Sequence, residues 1–164
     1  MNEIGEGAPK PGGIVGNLQT IAEIDVLEID PTKVARAKEV LEGKATVRLG
    51  DIRYMPYRDG IFDLIIDAST LDHIPQEQLG QALDEYERVL VPGGHAAIMV
   101  WATSAIRPYV TNHTGTWTPG YCCYFMYDKL VEAIEDRFDV QERQRFYEDD
   151  NGFMTYFLAR KKED

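Results

Sequence analysis

Two short apolar runs on consecutive residues, Leu64-Ile65-Ile66 and Ala96 to Trp101, constrain the fold most. A strand with one wet face alternates apolar and polar residues. A strand covered on both faces does not need to, and reads as a continuous β-branched run. Both segments therefore read as central parallel strands with helices over them. Around them β-type runs alternate with helical spacing: Ile24 to Ile29, then Val34, Ala37 and Leu41, then Ala45 to Leu49, then Phe62 to Ala68. This is the order of stacked βαβ units, an α/β fold.

Local punctuation agrees. Asp30-Pro31 supplies an N-cap followed by proline at the first helical position, and Gly43 a C-terminal stop, which predicts a helix from about Thr32 to Glu42. Leu79, Leu83, Tyr86 and Leu90 fall four, three and four apart and mark a second helix. Val91-Pro92-Gly93-Gly94 stops it in a type II turn, with a strand starting near His95. Leu130, Val131 and Ile134 mark a third helix. Val140 to Tyr147 and Phe153 to Ala159 then flank Glu148-Asp149-Asp150-Asn151-Gly152 as a closing antiparallel hairpin.

With 164 residues, no repeat and no composition break, one domain covering 1–164 is expected. Lys+Arg of 17 against Asp+Glu of 28 gives a net charge of −11, a field that repels nucleic-acid backbones and anionic membrane surfaces. No nucleic acid and no membrane are therefore expected as partners. Cys122 and Cys123 are sequence neighbours, unsuited to a disulfide with each other, and no Cys/His zinc spacing occurs; no metal is expected. The opening MNEIGEGAPKPGG has neither the basic start nor the apolar core of a secretory signal, so the expected location is cytoplasmic.

That opening, Glu3-Ile4-Gly5-Glu6-Gly7, is glycine-rich where a ligand could approach the backbone closely. Glu28 ends the next strand 21 residues after Gly7, near the interval at which an acid reaches ribose hydroxyls in nucleotide-binding βαβ units. The pair points to an adenosine-type ligand. Lys10 stands where a dinucleotide fingerprint would place its third glycine, which disfavours nicotinamide or flavin. The bland alternative is a solvated turn and an unrelated acid. Gly5, Glu28, Asp51 and Asp67 all fall at carboxyl ends of expected strands, where open α/β sheets bind ligands.

EIGEGAP, VLEIDP, LGDIRYMPYRDGIFDLIIDASTLDHIP and RVLVPGGHAAIMVW, in this order and spacing, resemble the successive motifs of class I S-adenosylmethionine-dependent methyltransferases. The likeness runs from about Glu3 to Trp101. It implies a Rossmann-like, doubly wound, mostly parallel sheet with helices on both faces and a C-terminal antiparallel hairpin, and S-adenosyl-L-methionine as cofactor. It further implies Glu3, Gly5 and Gly7 around the methionine moiety and Glu28 on the ribose. Asp51 would take the adenine amino group with Ile52 as its apolar neighbour, and Asp67 would face the transferred methyl. Pro9 departs from the family pattern, as do the KPGG that follows and the short stretch ahead of Glu3.

Each assignment has a structural alternative: Glu28 with Asp30 as caps, Asp51 as a turn residue, Asp67 as a cap for the segment after it. A methyl acceptor that carries a proton needs a base, and imidazole side chains exchange protons near neutral pH, which makes His73 in Asp72-His73-Ile74-Pro75 the candidate beside Asp67. His73 could equally only lead into the following helix. Thr103 to Tyr124 holds Tyr109, Trp117, Tyr121 and Tyr124 without a helical or strand period, and is expected as a lid or acceptor wall. The expected activity is methyl transfer to a small-molecule acceptor. The alternatives are a protein side-chain (lysine) methyltransferase, or a non-catalytic nucleotide-binding module with a degenerate glycine loop. The resemblance implies helices ahead of the first strand that this sequence does not show, and the apolar surface so exposed leads to the expectation of a homodimer, or else of a monomer with an open and weak cofactor site.

Overall fold

The computed structural model describes residues 23–113 and 120–163. The glycine motif with Glu3, Gly5 and Gly7, the expected first strand, and Trp117 lie outside the described residues. The chain divides into two compact units, Met1–Met55 and Pro56–Asp164.

In the first unit β1 (Asp25–Glu28) and β2 (Thr46–Leu49) pair in parallel, Asp25 opposite Thr46 through Glu28 opposite Leu49, and α1 (Pro31–Val40) connects them. The βαβ reading of this stretch holds. Asp30 caps α1 as expected, its carboxylate accepting from Thr32 N–H at 2.7 Å and Lys33 N–H at 3.4 Å. The helix stops at Val40, two residues short of the expected end, with Gly43 in the left-handed region at φ +70° just beyond. Val34, Leu41 and Val47 form a buried cluster, with Val26, Ala37, Val40 and Ala45 against it, so α1 is held by one apolar stripe on the strand pair.

The second unit is a mixed sheet in the order β5-β6-β4-β8-β7, with β3 also on β4. Its strands are β3 (Phe62–Ala68), β4 (Leu90–Thr103), β5 (Tyr109–His113), β6 (Gly120–Met126), β7 (Phe138–Glu148) and β8 (Phe153–Lys161). β3 and β6 run parallel to β4, whereas β8 is antiparallel to both β4 and β7. The closing hairpin appears where expected. A Cβ on Gly152 at its turn would collide with the Ala102 carbonyl oxygen and come within 2.8 Å of Tyr124 Cδ2, so only glycine fits there.

β8 occupies one edge of β4 continuously from His95 to Ala102. The other edge is shared in sequence: β3 pairs up to Ala68 opposite Met99, and β6 takes over at Ala102 opposite Phe125. The 3-10 turn Leu71–His73 leaves β3 at this hand-over. β4 begins at Leu90 rather than near His95, because Leu90 already pairs with Phe62. Val91 to Gly94 bulge out of the ladder instead of preceding it, with Gly93 at φ +73°.

α2 (Leu79–Val89) and α3 (Tyr127–Glu135) lie side by side on one face of this sheet, tied by Arg137 Nε to Asp84 Oδ1 at 2.6 Å. α2 buries Leu79, Ala82, Leu83, Tyr86 and Val89, and Leu83 is fully enclosed, so its truncation to alanine would cost about 2–5 kcal/mol. The opposite face carries Leu64 and Ile66, 46% and 44% exposed. Among the described residues no helix is long and apolar enough to cross a membrane.

Candidate active-site residues

In the first unit Glu28 and Asp51 stand at the carboxyl ends of adjacent parallel strands, and Gly50 N–H to Glu28 O at 3.0 Å carries the pairing one step past β2. Glu28 Oε1 accepts from Asp30 N–H at 2.9 Å, which fixes its side chain at the turn into α1. Asp51 closes an Asx turn, Oδ1 accepting from Arg53 N–H at 2.9 Å, and the Arg53 guanidinium folds back onto both carboxylate oxygens. The Arg53 guanidinium, ahead of the turn's backbone bond, holds the Asp51 carboxyl below the usual carboxylate range. Arg53 was not foreseen from the sequence; its place two residues after Asp51 was the available signal. Ile52 is half-buried beside them. An ionised carboxylate offers about four acceptor directions. Glu28 commits one of them to Asp30 N–H and keeps capacity for hydroxyl donors of a ligand, whereas Asp51 turns both oxygens to Arg53, so an amino donor there would share the carboxylate with the guanidinium.

In the second unit Asp67 stands one residue before the end of β3 with its carboxylate turned into the protein. It accepts from Thr70 N–H at 2.7 Å, Leu71 N–H at 3.3 Å and the Tyr86 hydroxyl at 2.6 Å. Burial pushes its carboxyl up, and those three bonds oppose the shift. Asp67 thus caps the segment that follows β3. Tyr86, read from the sequence only as a core position of α2, is its buried partner. Between them Ser69 adopts φ +62°, strained for a serine, while its N–H still bonds to Met99 O at 2.8 Å. Such strain concentrates in turns that the surroundings over-determine.

His73 ends the 3-10 turn, half-buried, with Nδ1 2.7 Å from the backbone carbonyl oxygen of Tyr121 on β6. A carbonyl only accepts, so Nδ1 carries the hydrogen, and in the neutral ring Nε2 is the acceptor nitrogen. Gln76 binds the same strand, its Oε1 accepting from Met126 N–H at 2.8 Å. Asp72, one residue before His73, is 1% exposed and accepts from Trp101 N–H at 2.8 Å.

The aromatic segment is not structureless. Tyr109 to His113 and Gly120 to Tyr124 pair as antiparallel strands, which corrects the sequence expectation for those residues. Tyr124 is buried, stacks on Trp101 with centroids 4.6 Å apart, and donates to Asp149 Oδ2 at 3.0 Å. Tyr147 meets Trp101 edge-on at 5.5 Å. Burial also pushes the Tyr121 phenol up to about 12.

The fold defined by these strands and helices is that of S-adenosylmethionine-dependent methyltransferases. A methyltransferase from Methanosarcina mazei described in those terms superposes with a TM-score of 0.77 at 14% identity, over 93% of this chain and 89% of that one. The 1,6-didemethyltoxoflavin-N1-methyltransferase of Burkholderia thailandensis, solved with its acceptor and S-adenosylhomocysteine, gives 0.71 at 16% identity over 94% and 68%. In sequence, tocopherol O-methyltransferase of Arabidopsis thaliana is 29% identical over 129 residues, 68% of this chain. The chain spans only 36% of that relative's length. The family pattern described as a methyltransferase domain matches residues 7–98, more than half of the sequence, and the chain belongs to that family.

Proposed function

We propose that this protein transfers a methyl group from S-adenosylmethionine to a small-molecule acceptor. The observation that carries the reading is the pair Glu28 and Asp51, two acids at the carboxyl ends of neighbouring parallel strands inside the matched region. Their chemistry fits the cofactor: carboxylate acceptors suit ribose hydroxyls and the adenine amino group, with Ile52 against the ring. Glu3, Gly5 and Gly7 keep their sequence-based assignment to the methionine moiety. The small-molecule acceptor is favoured by the tocopherol and didemethyltoxoflavin enzymes among the relatives.

When bound, S-adenosylmethionine supplies a methyl group activated by the adjoining sulfonium. The chain's own part is to hold the acceptor in line with that methyl and to take up the proton of a protonated acceptor. His73 suits the second task, because the Tyr121 carbonyl occupies Nδ1–H and leaves Nε2 to receive a proton from an acceptor O–H or N–H as the new bond to carbon forms. Asp67 organises the turn that carries His73, through the Thr70 and Leu71 amides.

The test follows the label from methyl-labelled S-adenosylmethionine into a panel of small O–H and N–H acceptors and lysine peptides. Label in a small acceptor is expected, falling about 100- to 10,000-fold in His73→Gln for acceptors that must lose a proton. Label in peptides alone would replace the acceptor class, and cofactor binding without any transfer would leave a non-catalytic module.

A further inference from the structure

We propose that Asp72 is a positioning residue for His73: its carboxyl replaces a missing strand neighbour at the hand-over on β4 and so fixes the turn from which His73 reaches Tyr121. The inference rests on the reading of His73 as the proton acceptor. On that edge of β4, β3 pairs no further than Met99 and β6 pairs from Ala102 onward, so the Trp101 N–H would have no strand partner. An amide turned away from water in that state gives up its hydration with no acceptor in exchange. Asp72 Oδ1 accepts from it at 2.8 Å. The next residue, His73, bonds to β6 through Tyr121 O at 2.7 Å. Two consecutive side chains of one turn therefore grip the two strands that meet there, and moving the first moves the second.

Asp72 does this as an acceptor without charge. Its Oδ2 is the buried side-chain atom that has no hydrogen-bond partner among the described residues, and an ionised carboxylate would leave that oxygen charged and unpaired. The groups that face it argue the same way. Asp67 from β3 adds negative charge, while Tyr86 from α2 and Cys122 and Cys123 from β6 are neutral acids, the Cys122 thiol pushed up to about 12 by burial. Burial, more than Asp67, raises the Asp72 carboxyl well above its ordinary range, with the Trp101 amide pulling the other way. The Ser69 hydroxyl is near enough to influence the carboxyl but outside hydrogen-bond geometry.

The test is long-range proton–nitrogen NMR of the histidine rings in the full chain, which has three histidines, with His73 identified by its loss in His73→Gln. The wild type and Asp72→Asn, which keeps a neutral acceptor oxygen, are expected to show His73 with a single tautomer protonated at Nδ1. Asp72→Ala is expected to show mixed tautomers in a folded chain. An unchanged His73 pattern in folded Asp72→Ala overturns the proposal, as does a mixed pattern in Asp72→Asn. Should Asp72→Ala not fold, amide exchange in the wild type decides: Trp101 N–H is expected to be as protected as Val100 and Ala102, and rapid exchange at Trp101 alone overturns the proposal. No methyl donor or acceptor enters these measurements, so they stand or fall separately from the methyl-transfer reading.

Discussion

Tyr86 donates its phenolic hydrogen to Asp67 Oδ2 across 2.6 Å, joining α2 to the carboxyl end of β3 inside the core. The other bond to that oxygen, from Leu71 N–H, is long at 3.3 Å. Tyr86→Phe keeps the ring and removes this bond, leaving a buried carboxylate oxygen short of a donor. A loss of about 1–3 kcal/mol is expected in urea unfolding. A loss within about 0.5 kcal/mol would mean that the bond contributes little.

Asp67 and Asp72 also give the protein a definite pH dependence. Both carboxyls are raised on folding, chiefly by burial, so the folded state binds more protons than the unfolded one above the ordinary Asp value of 3.8. The contribution of these two groups to stability is then fullest below that value and declines as pH rises toward the folded values, by at most about 1.4 kcal/mol per pH unit for each group. Asp72→Asn cannot lose that proton. Its melting temperature relative to wild type should therefore rise as pH increases above the ordinary Asp value, and a constant difference from about pH 4 to about pH 7 would show that Asp72 does not carry the proton.

Asp51 already engages Arg53, so its proposed contact with adenine must share the carboxylate. Asp51→Ala should weaken adenosine ligands more than inosine ligands, because inosine lacks the amino group that would donate to it. Equal losses for the two would reduce Asp51 to its turn.

Much of the fold was legible because local chemistry and tertiary packing agree. Phe62–Ala68 reads as a strand and is one; Asp30-Pro31 starts a helix because cap and proline act within four residues. The Pro92-Gly93-Gly94 segment was legible as a turn but not as a bulge, since the pairing of Leu90 with Phe62 depends on a strand far away in sequence. β6 escaped because Cys122, Cys123, Tyr124 and Phe125 are buried in succession, which erases the alternation that marks a strand. At the candidate site the acids could be named from their strand ends, but their partners could not. Tyr86 lies 19 residues from Asp67 and the Tyr121 carbonyl 48 from His73, and only folding brings them together.

Titration calorimetry with S-adenosylmethionine and its demethylated product, on the wild-type chain and Glu28→Ala, reads cofactor binding itself. Saturable binding at one site per chain is expected for both ligands, each displacing the other. Glu28→Ala should weaken it by about 1.5–3 kcal/mol, the worth of hydrogen bonds to a charged group. Absence of binding to a folded wild-type chain would rule out a working cofactor site, and unchanged affinity in a folded Glu28→Ala chain would remove Glu28 from the ribose.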